Sequence, residues 1–199
     1  GAGLSLAGVL PGNGAHAGAM LDEDLDAVVL LNIEPDADLL ACDDAVSKLA
    51  QQKFVVALTP FDSEALLESA DLLLPIGTFA ETSGTYVNVE GTWQSFGGIA
   101  NPVGEARPAW KVLRVLGNLV DAEGFDYVTS EDVRDECRAA VGDVKPQALS
   151  GGKAGKAKGS DDPSREIDTP LYSVDALVRR ATALQLTPAA RHAAVEGEG

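Results

Sequence analysis

Aromatic residues, clustered cysteines, cationic residues and long apolar runs are all scarce in this chain of 199 residues. Phe, Trp and Tyr together make up 5%, so a core must rest on Leu, Val and Ala, which the hydrophobic share of 45% can supply. The two cysteines, Cys42 and Cys137, have no Cys or His neighbour at metal-ligand spacing. An iron–sulfur cluster usually needs four thiolates, so none can be assembled from this chain alone. There is no disulfide framework either, which fits a reducing compartment. As far as Leu74 the only basic residues are Lys48 and Lys53, and the formal net charge is −16. Phosphate backbones are bound by clustered Lys and Arg that release counterions, so nucleic acid and anionic membrane are excluded as partners. The acidity reads as a solvated surface.

No apolar run nears the roughly 20 residues that cross a bilayer, and no basic segment of a signal peptide opens the chain. Direct membrane insertion is not expected. The first residue is Gly within a Gly/Ala-rich stretch and not an initiator Met, which reads as a piece cut from within a longer protein. Also missing are a Gly-x-Gly-x-x-Gly or Walker sequence, a serine nucleophile elbow and a paired metal motif. His16 and His192 have no carboxylate partner nearby in sequence and read as bystanders, so no catalytic residue and no metal site is expected.

What the chain does contain is an alternating pattern. After a small, Gly-rich opening with a turn at Pro11-Gly12-Asn13-Gly14, the run Ala27–Ile33 is almost continuously apolar, as in a strand buried on both faces. Glu34-Pro35 ends it. Asp43 and Asp44 are placed to cap a helix whose stripe includes Val46, Leu49 and Ala50. Phe54–Leu58 is a second buried strand. Asp62, Ser63 and Glu64 open another helix with acid at its positive end, and Asp71–Pro75 is a third strand. Strands alternating with helices predict βαβ units and a parallel sheet. The pattern changes at Gly84–Gln94, which is β-rich and punctuated by Gly, too short for a crossover helix; it predicts a hairpin turning near Glu90-Gly91.

Pro108 suits the first position of a helix whose stripe is Ala109, Val112, Leu113, Leu116, Leu119 and Val120, leaving Lys111, Arg114 and Asn118 outside. Thr129-Ser130-Glu131-Asp132 has the form of a capping box for a helix to about Val141. Cys137 falls on its apolar stripe with Val133, Ala140 and Val141 and reads as a core residue. From Lys145 to Asp168 almost no large apolar residue is present, so burial cannot offset ordering entropy, and a flexible, solvated linker is expected. Val174, Leu177, Val178, Ala181 and Leu184 then form a helical stripe, with Arg179 and Arg180 on the polar side. The expected domains are therefore an α/β unit at 1–144, a linker at 145–168, a terminal helical segment at 169–187 and a disordered tail at 188–199.

Three blocks of sequence resemble the molybdopterin oxidoreductase family in order and spacing. They are Ala70-Asp71-Leu72-Leu73-Leu74-Pro75, then Ala80-Glu81-Thr82-Ser83-Gly84-Thr85-Tyr86-Val87-Asn88-Val89-Glu90-Gly91, then Gly104-Glu105-Ala106-Arg107-Pro108-Ala109-Trp110. Phe54-Val55-Val56, the Glu-Gly-Thr-Trp-Gln hairpin and Ala176–Ala181 resemble one branch, the G subunits of NADH-quinone oxidoreductase, respiratory complex I. The similarity covers about 1–125 well and 166–186 moderately. It implies an α/β fold with a mainly parallel, Rossmann-like sheet flanked by helices and a β-hairpin excursion.

The resemblance further implies a role as a scaffold portion of the large peripheral-arm subunit, which supports electron transfer from NADH to quinone. Its partners would be the other subunits of that arm, on the cytoplasmic side of the bacterial inner membrane. Iron–sulfur clusters would lie in an amino-terminal part of the parent chain that is not present here. The alternative is the carboxyl-terminal portion of a molybdenum-dependent oxidoreductase such as a formate dehydrogenase, and a third reading is a free-standing nucleotide-binding module.

The molybdenum enzymes hold pterin guanine dinucleotides, and two departures argue against that here. Their Gly-x-Asn-Pro-like turn reads Asn32-Ile33-Glu34-Pro35, so a carboxylate replaces an amide, and Thr59 stands where Asp is frequent. A carboxylate repels pyrophosphate. No cofactor is therefore expected in this chain, and Glu34, Thr59, Asn88, Glu90 and Arg107 are candidates for a vestigial crevice. The bland reading of Asn88 is an amide on a buried strand bridging backbone segments. Glu81, Glu90 and Glu105 would pair with Arg107 or accept backbone amides, and Gly84 and Gly91 would supply positive φ. Limited trypsin digestion should cut first at Lys153, Lys156 or Lys158; early cleavage at Lys111 or Arg114 would mean the helix assigned there is not packed.

Overall fold

The computed structural model describes residues 2–8, 15–39, 42, 44–142 and 171–190. The stretch 145–168 read as a linker, the turn at Pro11-Gly12-Asn13-Gly14, His192 and most of the expected tail lie outside the described residues. Two short helices, α1 (Ala2–Leu6) and α2 (Ala17–Leu21), stand in the opening segment, where the sequence predicts only a Gly-rich turn. There follow β1 (Val28–Leu31), α3 (Pro35–Asp38), α4 (Ala45–Ala50), β2 (Val55–Thr59), α5 (Glu64–Ser69) and β3 (Leu72–Pro75). The three strands pair in parallel in the order β1-β2-β3, with Val29 beside Val56 beside Leu72. The predicted mixed α/β architecture with a parallel sheet is thus present.

The core forms where α4 and α5 pack on each other and on one face of the sheet. Leu49, Val55 and Leu66 are fully buried there, with Leu21, Leu30, Ala45 and Ala57 around them. Truncating such a Leu to Ala costs about 2–5 kcal/mol, because the cavity left behind collapses only in part. The buried positions of α4 are Ala45 and Leu49, whereas Val46 is half-buried and Ala50 exposed. Asp44 sits at its cap position in a left-handed conformation and makes no side-chain cap bond, contrary to expectation. Ser63 does cap α5, its hydroxyl accepting from Leu66 N at 3.2 Å. Asp71 ties β3 to β2 by accepting from Val55 N at 2.7 Å.

The expectation of strands buried on both faces holds for the central strand β2, where Leu58, on the face opposite the core, is fully buried. It is corrected for the outer strands: side chains alternate along a strand, and on that same face Val29 is 55%, Leu31 44% and Leu72 43% exposed.

After β3, a three-residue 3₁₀ turn (Phe79–Glu81) leads into the predicted hairpin, β4 (Gly84–Val87) against β5 (Trp93–Phe96), antiparallel. Gly91 in its turn has φ 81°, as expected, but Gly84 has no positive φ. Its constraint is close approach: a Cβ there would meet the Phe96 ring at 3.0 Å. Asn88 lies in the turn, beyond the end of β4, and its Oδ1 accepts from Glu90 N at 3.0 Å and Thr92 N at 2.9 Å.

Helix α6 (Ala109–Leu119) and helix α7 (Ser130–Val141) match the predicted spans, with Pro108 one position earlier, at the cap. Thr129 and Asp132 form the anticipated capping box. The stripe on α6 is corrected at its end, since Leu119 and Val120 are each 73% exposed. The buried contact near that end is Gly117, where a Cβ would lie 2.2 Å from Phe125. Arg114, placed outside by the stripe, is half-buried and donates to the Tyr127 carbonyl at 2.8 Å.

The terminal segment is not one helix. A 3₁₀ turn (Leu171–Ser173), α8 (Ala176–Arg179) and α9 (Thr182–Gln185) succeed one another. No helix among the described residues is long and apolar enough to cross a membrane. Gly91→Val should cost about 1–3 kcal/mol, because a β-branched residue resists positive φ. A lowered melting temperature in a thermal scan checks this, and an unchanged one would remove the architectural role of the turn.

Candidate functional site

Parallel strands bring their carboxyl ends to one edge of the sheet, and the turns that leave β1 and β2 face a crevice there. The crevice has a volume of about 270 Å³ and is walled by Asn32, Ile33 and Asp38 after β1 and by Pro60 and Phe61 after β2. Thr78 and Phe79, from the turn after β3, close one side, and residues 174–177 close another. Beside these walls, at the ends of β1 and β2, are two buried polar residues singled out from the sequence, Glu34 and Thr59. Thr59 is turned inward: its hydroxyl donates to the Phe61 carbonyl at 2.5 Å and accepts from Phe61 N at 3.2 Å. Both hydrogen-bonding functions of that hydroxyl are consumed within its own turn.

Glu34 is more unusual, since its side chain is only 9% exposed. A carboxylate at that depth is costly unless cations and hydrogen bonds compensate it. Two guanidiniums from the far end of the chain supply them. Arg180 reaches both carboxylate oxygens, Nη1 to Oε1 at 2.9 Å and Nη2 to Oε2 at 3.0 Å. This is the parallel two-bond geometry in which Arg binds a carboxylate most strongly. The Arg180 guanidinium also stacks over the Phe61 ring, 4.1 Å from its centre.

Arg179 approaches the same carboxylate, with Nη1 3.0 Å from Oε1, and pairs through Nη2 with Asp38. The Nη1 approach is an ion pair off the line of a hydrogen bond. Asp38 in turn accepts from the Glu34 backbone N at 2.8 Å, which fixes the α3 turn around the pair. Sequence periodicity places Arg179 and Arg180 on the solvent side of a helix; Arg179 is instead largely buried, whereas Arg180 stays partly exposed while its guanidinium meets Glu34. Their partner lies 146 positions away from Arg180, beyond the reach of any helical pattern.

The other candidates are not brought to this crevice. Asn88 and Glu90 occupy the hairpin turn. Arg107 adjoins β3 by a bridge to Ile76, donates to the Ala106 carbonyl at 2.8 Å, and lines an apolar groove with Leu72, Leu74 and Leu116. None of the described ion pairs joins Arg107 to Glu81, Glu90 or Glu105. Glu81 closes a capping box instead, accepting from Thr78 N at 2.8 Å and Thr78 Oγ1 at 2.9 Å. These bonds favour its ionised form and hold its pKa below the ordinary value, the Thr78 backbone amide contributing most.

Cys137, half-buried, lines a small hollow with Trp93, Trp110 and Val133, and His16 Nδ1 accepts from Ala19 N at 3.1 Å to cap α2. Among the described residues no group of His, Cys, Asp or Glu is placed to hold a metal ion.

The crevice fits a dinucleotide poorly. A phosphate at the β1 turn would meet Glu34 and Asp38, and the cations that could balance it are already committed to those carboxylates. The sequence model of the family described as Molybdopterin oxidoreductase matches residues 7–119. The mitochondrial NADH-ubiquinone oxidoreductase 78 kDa subunit of Candida albicans is 34% identical over 112 residues, 56% of this chain and 15% of that protein. The G subunit of the NADH-quinone oxidoreductase of Shewanella oneidensis is 26% identical over 121 residues, 58% of this chain and 13% of that protein. The assimilatory nitrate reductase catalytic subunit of Bacillus subtilis is 29% identical over 168 residues, 81% of this chain and 24% of that protein. The chain thus spans less than a quarter of the length of these relatives.

The Glu81 capping box should make stability pH-dependent. A carboxyl whose folded pKa is depressed adds stability above its unfolded value, near 4.5, and loses it as pH falls through the lower folded value. Glu81→Gln should therefore shrink the fall in melting temperature on acidification below that value. An unchanged acid dependence would show that the box contributes nothing.

Proposed function

Because the chain belongs to the molybdopterin oxidoreductase family, we propose that it is a scaffold portion of the large peripheral-arm subunit of an NADH-quinone oxidoreductase. In this reading it supports electron transfer from NADH to quinone without holding a redox centre of its own. The observation that carries the proposal is the buried Glu34 at the turn after β1, neutralised from within the chain by Arg179 and Arg180. A turn used for a pyrophosphate needs amides and cations free to meet it; this one presents a carboxylate and spends its cations on it. The likeness to the 78 kDa subunit and to the bacterial G subunit, over more than half of the chain, supports the same branch.

The iron–sulfur clusters that carry electrons belong, on this reading, to an amino-terminal part of the parent subunit. The partners are the other subunits of the peripheral arm, and the place is the cytoplasmic face of the bacterial inner membrane. The charge of −16 supports protein partners over nucleic acid. A second reading, the carboxyl-terminal portion of a molybdenum-dependent oxidoreductase such as a formate dehydrogenase, is favoured by the nitrate reductase likeness, which extends over 81% of the chain.

Calorimetry separates the two. GDP, the nucleotide half of the pterin cofactor, is titrated to about 1 mM, where binding worth about 4 kcal/mol still registers. The scaffold reading expects no saturable heat, and the parent subunit purified from its host should carry no molybdenum. Saturable GDP binding together with stoichiometric molybdenum would replace it with the second reading.

A further inference from the structure

We infer that the carboxylates of Glu34 and Asp38, at the turn after β1, form a receptor for a pair of adjacent arginines, a ligand the chain supplies to itself from residues 171–190. This rests on the reading above that the crevice takes no dinucleotide. The recognition is specific in its parts. Arg179, the last residue of α8, approaches Glu34 Oε1 at 3.0 Å and pairs also with Asp38, and Arg180, just past the helix, meets both Glu34 oxygens. Arg180 matches the carboxylate with a planar fork and covers its cationic face with Phe61, a combination that Lys cannot reproduce. Its Nη1 also donates to the Ala176 carbonyl at 3.1 Å, which holds the fork in the orientation the carboxylate requires.

The segment is folded to present these groups. Asp175 Oδ1 accepts from Leu177 N at 2.9 Å and Val178 N at 3.1 Å, starting α8 one turn ahead of the arginines. Gln185 Nε2 donates to the Tyr172 and Val178 carbonyls, both at 2.9 Å, and so joins the turn before α8 to the helix after it. A preorganised ligand loses less entropy on seating. The receptor side is equally built, since Asp38 both receives Arg179 and braces the Glu34 amide. Ligand and receptor therefore have complementary chemistry, guanidinium for carboxylate, and an anionic ligand has no place in it.

The test uses the full chain. Trypsin cleavage after Arg179 and Arg180 should be slow in the wild type and about tenfold faster or more in Glu34→Gln/Asp38→Asn, a factor equal to about 1.4 kcal/mol of lost protection. Far-ultraviolet circular dichroism establishes that the sheet of the variant is intact. Arg180→Lys leaves the sheet core untouched, keeps the charge and loses the fork. It should raise cleavage after positions 179 and 180 severalfold. In the Arg179→Ala/Arg180→Ala chain, a labelled peptide of residues 175–185 should bind saturably, and adding Glu34→Gln should abolish that binding.

Cleavage unchanged in both receptor and fork variants, or peptide binding indifferent to Glu34→Gln, would overturn the receptor. Arg180→Lys protected as fully as wild type would overturn the role of the fork. Pyrophosphate binding to the wild-type chain would instead refute the scaffold reading on which the receptor rests, so the two failures are told apart.

Discussion

Parallel strand pairing is the constraint from which the rest of this structure follows. Each strand must be followed by a crossover that returns the chain to the opposite end of the sheet. All three strands therefore release their chain at the same edge. That is why Asn32, Asp38, Phe61 and Thr78, which are scattered through the sequence, share one crevice. It is also why α4 and α5 occupy one face together and concentrate the core there. The hairpin β4–β5 and the helices α6 and α7 are added onto this frame by local means. These are a glycine at positive φ, an Asn that accepts two turn amides, a capping box and a glycine lying against Phe125.

A carboxylate at that shared edge sets an electrostatic condition that the frame cannot meet alone. Removing one partner of a buried pair costs about 3–5 kcal/mol, because the charge left behind is neither solvated nor matched. The first 74 residues contain only two basic residues, and those are occupied near α2 and β1: Lys48 pairs with Asp22 and Lys53 with Asp26. Compensation therefore has to come from a distant part of the polypeptide. The terminal segment does so with two guanidiniums, one of which also reaches Asp38.

Much of the frame is legible in the sequence because its signals are local. Apolar runs mark β1, β2 and β3, and Ser63 and Thr129 announce their helices by cap chemistry. Gly91 marks a turn whatever surrounds it, whereas Asn88, read as part of a strand, lies in that turn. What cannot be read there depends on contacts distant in sequence. Gly84 looks like a turn residue but is constrained by Phe96 from the facing strand. Glu34 is visibly discordant with a phosphate-facing turn, but its partners are not visible. An amphipathic pattern assigns charged residues to solvent, and Arg179 and Arg180 satisfy that pattern while pairing with the buried Glu34. The only hint is compositional: in an acidic chain, a buried Glu must find its cations wherever they are.

The exposed side chains of the outer strands have a consequence for the chain as a colloid. Val29, Leu31 and Leu72 form part of an apolar patch that water wets at a free-energy cost of about 25 cal/mol per Å². Patches of this kind draw copies together at short range. The net charge of −16 opposes this at longer range. At low ionic strength that repulsion extends over tens of ångströms, but near 1 M salt its screening length falls to about 3 Å. Acidity thus opposes association of these exposed outer-strand side chains, and salt, which shortens the reach of that repulsion, weakens the opposition.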